Sequence, residues 1–391
     1  MDPVRNPYQP GAGRRPPELA GRVAELQAFD VLMQRCEMGF GERGRILHGL
    51  RGVGKTVLLN EFQGMAEERH WITAKVEAAS GRSALPALAQ SLHRSLRIAA
   101  GRFDRKRLIG LLQVFRSFTL RLDPSGTYTF GFDVAAAQGH ADTGDPSVDL
   151  PELFAALGTT ARELGVGVLL LVDEMQDVPE SELRALNTAV HELGQGIEPR
   201  PVVLVGAGLP SLPEVLSKAT SYAERLYEYI AIGKLDKSAA HEALVVPAES
   251  LGVHWSAGAL AHLDEFSDGY PYFIQTGGKY AWDYAADSPI TAADAEAGLI
   301  QARREVDAGL YRARWQRATP LQRSIMKAMA DLSGDEPAAM TLVTDALGRD
   351  RNELSVPRDQ LIKKGLVYAP DRGLLAFTVP GMADYVRRQP E

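Results

Sequence analysis

Gly49-Leu50-Arg51-Gly52-Val53-Gly54-Lys55-Thr56 decides how the rest of the chain is read. It fits G-x-x-x-x-G-K-[ST], the loop that cradles nucleotide phosphates. Gly49, Gly52 and Gly54 let the backbone turn its N–H groups inward, toward phosphate oxygens. Leu50, Arg51 and Val53 fill the positions between them. Lys55 adds a point charge near the β and γ phosphates, and Thr56 offers a hydroxyl to Mg2+. A helix starting near Lys55 and running on through Val57 aims its positive end at the same anion. The flanks agree. Arg45-Ile46-Leu47-His48 reads as a strand, and residues 57–69 read as an amphipathic helix carrying Leu58, Leu59, Phe62, Met65 and Ala66. A chance glycine-rich turn has no reason to sit between a strand and a helix.

A second stretch answers the first. Residues 166–172 are almost continuously apolar, as in a strand covered on both faces, and end in Asp173-Glu174. Asp173 can hold Mg2+ through water, and Glu174 can orient or deprotonate an attacking water. The competing reading is an ordinary acidic strand cap. Further strands are expected at 71–76, 201–205 and 227–232, with helices at 83–99, 153–164, 181–193 and 213–225. Strands alternating with helices predict a three-layer α/β domain on a parallel sheet. Its ligand is expected at the carboxyl ends of the strands, where both motifs fall.

The 391 residues suggest two or three domains. One cysteine, Cys36, excludes an internal disulfide, and with no signal peptide in view the chain reads as cytoplasmic. No apolar run is long enough to span a membrane. A net charge of −7 argues against a protein that coats nucleic acid over its whole surface, but leaves room for one basic face. His140 and Asp142 fall in a Gly/Asp-rich stretch, and neither H-E-x-x-H nor C-x-x-C occurs.

Residues 1–17 hold five prolines and read as a flexible arm. The ATPase-type core is expected over 18–235, interrupted by an insertion at 101–150. Within that insertion, Arg102, Arg105, Lys106 and Arg107 form a basic cluster, best read as a solvated helix face. Phe118-Thr119-Leu120-Arg121-Leu122 and Tyr128-Thr129-Phe130-Gly131-Phe132 flank Asp123-Pro124-Ser125-Gly126 and predict a β-hairpin, followed by a mobile polar loop at 138–149. From residue 236 the strand signals stop. Helices at 236–250, 256–267, 271–286 and 291–316 make an all-helical unit, 236–317. The last unit, 318–391, reads as three helices (321–331, 340–347, 352–363) and a hairpin around Asp371-Arg372-Gly373, the pattern of a winged helix-turn-helix. Pro357 falls within its third helix and can mark that helix's true start.

Taken in order, these features resemble AAA+ ATPases of the origin-recognition-like and STAND-like group. The resemblance spans residues 18–390 and rests on Gly21-Arg22 with Glu25, Gly49 to Thr56, Asp173-Glu174, Arg225 before the last strand, Gly269-Tyr270-Pro271, and the terminal unit. It implies that the sheet domain and a helical lid clamp ATP with Mg2+. Gly21 and Arg22 would lie near the adenine, and Pro271 would belong to an adenine-contacting G-x-P element. Arg225 would match an arginine finger that touches the γ phosphate of a neighbouring copy in a homo-oligomer. Its alternative is to neutralise the C-terminus of its own helix.

Two departures stand out. The start of the third lid helix reads Gly269-Tyr270-Pro271-Tyr272 where many such proteins place a γ-phosphate-sensing arginine. Gly206-Ala207-Gly208 offers no polar sensor at the end of the fourth strand, leaving Ser211 as a candidate. Slow hydrolysis, or a nucleotide-held switch, is therefore expected, with ATP and ADP as ligands. Arg349, Arg351, Arg358, Lys363, Lys364 and Arg372 would let the terminal unit contact double-stranded DNA. The alternative is a signalling or scaffold ATPase whose terminal unit binds protein.

Overall fold

The computed structural model describes residues 1–122, 134–196 and 198–390. Five short strands make one fully parallel sheet: β1 (Gly44–His48), β2 (Ile72–Glu77), β3 (Val168–Asp173), β4 (Val202–Gly208) and β5 (Tyr227–Ala231). Their spatial order is β2-β3-β4-β1-β5. β3 and β4 are buried along their whole length, which is why their sequences are runs of Val and Leu and do not alternate. The order leaves β1 two places from β3, with β4 between. The loop after β1 and the acidic pair after β3 thus open at the same edge of the sheet.

Helices cover both faces of this sheet, and one apolar cluster runs from Phe29 to Ile232. The two long helices Leu85–Arg102 and Arg105–Leu122 build the insertion. This corrects the hairpin expected at 118–132. Its first arm, through Phe118 and Leu120, is helical, and Leu108, Leu111, Leu112, Phe115 and Phe118 recur at helical spacing as buried residues. The strand-like look of Phe118-Thr119-Leu120 came from a local alternation inside a longer 3.6-residue pattern. The second arm, 128–132, lies outside the described residues. Arg102, Lys106 and Arg107 are exposed around the turn between the two helices. The polar stretch before Leu150 is tied down: the Asp149 carboxylate is buried and accepts from Thr143 N, Thr143 Oγ1 and Gly144 N, so Pro146–Leu164 starts as a helix earlier than expected.

Beyond β5 come Lys237–Glu249, Ala257–Ser267, Pro271–Tyr284 and Ala292–Val306. The last continues through a π-helical turn, Asp307–Tyr311, into Arg312–Arg317. Gly269 joins the third of these helices to the sheet domain. Its φ is +75°, Leu235 N–H donates to its carbonyl at 2.8 Å, and a Cβ there would collide with the Leu235 carbonyl oxygen. The terminal region has Pro320–Ser333, Met340–Leu347 and Arg351–Lys363, followed by β7 (Val367–Tyr368) and β8 (Leu374–Phe377). β8 pairs antiparallel with β7 on one side and with β6 (Ala338–Ala339) on the other. Pro357 does not start its helix but sits inside it. A final helix, Met382–Arg387, was not foreseen. Among the described residues, no helix is long and apolar enough to cross a membrane.

Residues 1–17 are not a free arm. Tyr8 is buried against Trp255 and Trp282, its hydroxyl donating to Leu244 O and accepting from Trp255 Nε1 at 3.0 Å. Asn6 Nδ2 donates to Asp283 at 2.7 Å and to Lys279 O at 2.9 Å. Further on, Asn60 Nδ2 donates to Gly13 O at 3.1 Å, and Arg15 meets Glu61 at 2.7 Å. One end of this strap is therefore on the helical region and the other on the sheet domain. One buried aromatic offsets the ordering cost, which prolines have already reduced.

Candidate nucleotide-binding site

At the carboxyl edge of the sheet lies a cavity of about 550 Å³. Four parts of the chain wall it: the strap (Gln9 to Arg14), the loop 51–57 with Asp173-Glu174, the helix start Tyr270 to Gln275, and a far C-terminal face formed by Arg314, Val379 and Pro380. Gly52 and Gly54 take the left-handed conformation that the loop demands, and the helix Lys55–Glu68 starts directly behind them.

Lys55 is buried, and its Nζ donates to Gly49 O and Leu50 O, both at 2.8 Å. The ammonium thus lies across the mouth of its own loop. Burial brings its pKa down to about 8, against the pull of Glu174 and Asp173. Thr56 Oγ1 donates to Asp173 Oδ2 at 2.7 Å. A hydroxyl and a buried carboxylate meeting at one point form the oxygen set that Mg2+ takes, directly or through water.

Glu174 stands at the N-terminus of a short 3-10 turn, at φ +48°. Its carboxylate is gripped. Arg51 donates twice, at 2.7 and 3.3 Å, and Gln176 Nε2 donates at 2.6 Å. Gln176 Oε1 in turn accepts from Leu209 N at 3.0 Å. The amide of Gln176 therefore fills the polar place that Gly206-Ala207-Gly208 leaves empty at the end of β4, where a Cβ on Gly208 would collide with Gln176 Oε1. Ser211 does not line the cavity. Sequence reasoning missed Gln176, although its position two residues after Glu174 was a usable signal.

The other predicted residues fall as follows. Arg22 is buried and donates to Val53 O at 3.1 Å and Gly233 O at 2.6 Å, so it braces the phosphate loop from behind. A Cβ on Gly21 would lie 2.7 Å from that of Ala239, so the backbone there passes directly over the first helix of the helical region. Pro271 lines the cavity as the first residue of its helix, beside Tyr270 and Tyr272. Arg225 is exposed, is absent from the cavity wall, and has no ion-pair partner among the described residues.

The terminal region touches the site directly. Arg51 N–H, in the phosphate loop, donates to Thr378 O at 3.0 Å. Leu50 packs on Leu209, Tyr368 and Ala376. Nothing in the sequence marked Thr378, Val379 or Pro380, because long-range docking leaves no local periodicity.

Residues 18–205 match the family model described as AAA ATPase domain. Residues 308–386 match a domain of unknown function, DUF8462. No curated protein matches the chain. Among the solved structures that share its fold, two match along nearly the whole length of both chains. The Walker-type ATPase PABY2304 of Pyrococcus abyssi is 17% identical, with 94% of this chain and 96% of that one covered and a TM-score of 0.54. The Aeropyrum pernix ORC2 protein, in ADPNP–ADP complexes, is 16% identical, with 96% and 94% covered and a TM-score of 0.54. The sheet order and the phosphate loop make the front of the chain an α/β P-loop core of AAA+ type, over the residues that the AAA ATPase domain model matches. Its overall fold is the one seen in that ORC2 protein.

Proposed function

We propose that this chain binds ATP with Mg2+ at the phosphate loop, hydrolyses it slowly, and uses the bound nucleotide to set the position of its terminal unit. The observation that carries this reading is the cavity itself, whose walls come from the phosphate loop, a helical lid and the terminal unit at once. A ligand filling it bears on all of them. Lys55 and the loop amides would take the phosphates, Thr56 and Asp173 the metal, and the Tyr270-Pro271-Tyr272 turn the base. The metal, when bound, supplies charge for the phosphates. Glu174 would orient the attacking water once it is free of Arg51. That release is a step to be made before chemistry, which fits a switch better than a fast motor. Lys55→Ala should abolish nucleotide binding, and Glu174→Gln should keep binding while stopping phosphate release from ATP. Unchanged ATPase in both variants would sink the reading.

The terminal unit, with helices at 320–333, 340–347 and 351–363 and its antiparallel strands, has the make-up of a winged helix. DNA contact through Arg351, Lys363 and Arg372, which are exposed, is one role for it. The observations favour a second. Arg349 is paired with Glu353 and Arg358 with Asp359, both at 3.0 Å. Lys364 is spent on Arg317 O at 2.8 Å and Gln322 Oε1 at 2.7 Å. The unit's strands rest on the ATPase core itself. A protein-facing winged helix that holds its own core in check is consistent with that use of charge. Titrating the full chain against labelled duplex DNA, with and without ATP, separates the two roles. Phosphate contacts would make affinity fall steeply with salt, and no binding at low salt with either nucleotide state would end the DNA role.

A further inference from the structure

Five cationic side chains line the cavity: Arg14, Arg22, Arg51, Lys55 and Arg314. Arg14 is exposed on the strap. Lys55 and Arg22 each donate to two backbone carbonyls, and Arg51 is bound to Glu174. Arg314 differs from all of these. It is half-buried, and among the described residues its side chain has only a 2.7 Å hydrogen bond to Leu310 O of the turn before its helix and no ion-pair partner. A guanidinium has five donors, so most remain for a ligand. Burial, then repulsion from Arg51 and Arg317, lowers its pKa to about 10, while Glu174 pulls the other way. The geometry agrees: Arg51 Nη2 lies 3.3 Å from where a Cβ on Gly365 would stand, Gly365 follows the Lys364 that holds Arg317, and Arg51, Glu174 and Arg314 line the same cavity, so Arg314 shares its Arg51–Glu174 end.

Its place in the fold is unusual as well. It follows the π-helical turn Asp307–Tyr311, whose Gly309 and Leu310 also wall the cavity. Such turns re-aim side chains and recur at functional sites. Three residues later, Arg317 Nη2 donates to Lys364 O at 2.7 Å while Lys364 Nζ donates back to Arg317 O at 2.8 Å. This short helix is fastened to the terminal unit.

We propose that Arg314 is the cation that reads the terminal phosphate of a bound nucleoside triphosphate, from within the same chain, and passes that reading to the terminal unit through the Arg317–Lys364 clasp. The proposal rests on the ATP-binding reading above. The phosphate loop surrounds the first two phosphates, and a third extends toward the Asp173–Glu174 edge. There it meets two arginines that repel each other when the site is empty. The third phosphate relieves that repulsion and competes with Glu174 for Arg51. A diphosphate ends short of both. This would supply the sensing charge that Gly269-Tyr270-Pro271 lacks.

The test uses the full chain with ADP and with the non-hydrolysable AMPPNP, by calorimetry. Arg314→Gln should lose tenfold or more in AMPPNP affinity while ADP affinity stays within twofold. No change, or an equal loss for both nucleotides, overturns the proposal. If the Gln variant does not fold, Arg314→Lys decides alone. A lysine keeps the charge without the planar fork, so AMPPNP affinity should fall severalfold with ADP affinity kept, and no selective loss overturns the proposal. A wild-type chain that binds neither nucleotide refutes the ATP-binding reading instead. The coupling is read by hydrogen exchange at the Arg51 amide, now bound to Thr378 O. AMPPNP and ADP should protect it differently in the wild type and alike in Arg314→Gln, whereas equal protection in the wild type overturns the coupling.

Discussion

Lys55 should make nucleotide affinity fall with rising pH, in a window set by its burial. In the free chain its pKa is about 8, because the ammonium is buried among loop carbonyls and the nearby carboxylates only partly compensate. A phosphate placed against it favours the charged form, so binding above pH 8 must bring a proton with it. With a free-state pKa of about 8 and a bound-state value above ~10, the charged fraction of the free chain drops from about 0.9 at pH 7 to about 0.1 at pH 9. The affinity should therefore fall about tenfold between those values, ~1.4 kcal/mol. The nucleotide adds little to this slope, since phosphate monoesters lose their last proton near pH ~6. His48 nearby is held below its ordinary value by burial and by Lys55, so it is neutral throughout. ADP binding followed by calorimetry from pH 6.5 to 9.5 would show the decline, along with proton uptake that grows above pH 8. The sign for folding is opposite. Between about pH 8 and 10.5 the unfolded chain holds the proton that the folded one has lost, so Lys55 costs stability below that window and less as the pH climbs. An affinity flat from pH 7 to 9.5 would refute the placing of Lys55 against phosphate.

Three other outcomes are expected. Tyr8→Ala removes the aromatic anchor of the strap, worth about 3 kcal/mol by the usual cost of emptying a buried aromatic site. The strap can detach without global unfolding, so trypsin should cut after Arg14 much faster while the melting temperature barely moves; an unchanged cutting rate would count against the docked strap. Gly269→Ala introduces a Cβ against Leu235 O at φ +75° and should cost about 1–3 kcal/mol, seen as a lower melting temperature together with weaker nucleotide binding. Arg225→Ala separates the two roles left for that exposed side chain. As a finger acting in trans it would make ATPase per chain rise with protein concentration in the wild type and stay flat in the variant; identical curves would leave it only its own helix end.

The parts that could be read from sequence are those whose physics is local. The phosphate loop is a backbone conformation, so its glycines declare it. β3 and β4 are buried on both faces, so they appear as unbroken Val and Leu runs. The helices at 237–249 and 257–267 begin at Asp236 and Ser256, whose side chains cap the next turn, and both starts were foreseen within two residues. What escaped was non-local. The strap looked free because five prolines mask a single tyrosine whose partners, Trp255 and Trp282, lie more than two hundred residues away. The 118–122 stretch looked like a strand because five residues fit both periods, and only the buried leucines ahead of it choose the helix. Arg314 stood unremarked among Arg312, Arg314 and Arg317, since no pattern tells which arginine of a basic run faces a cavity.

These blind spots share a cause that bears on how the site works. The strap, the lid and the terminal unit each reach the sheet domain through a hydrogen bond with other contacts beside it: Asn60 to Gly13 O next to the Arg15–Glu61 pair, Leu235 N–H to Gly269 O, and Arg51 N–H to Thr378 O next to the packing of Leu50. A single hydrogen bond of this kind is worth about 1 kcal/mol net, little beside the cores it joins. A bound nucleotide contributes far more. A ligand of micromolar affinity brings about 8 kcal/mol, and only the difference between ATP and ADP has to exceed one attachment to change it. The loop amide of Arg51 is the attachment closest to that difference. Its own side chain holds Glu174, so on the proposed mechanism freeing the carboxylate for water and loosening the terminal unit would involve the same residue. On the proposed function, a chain arranged this way would link readiness for hydrolysis to the position of its terminal unit without any large rearrangement of the sheet.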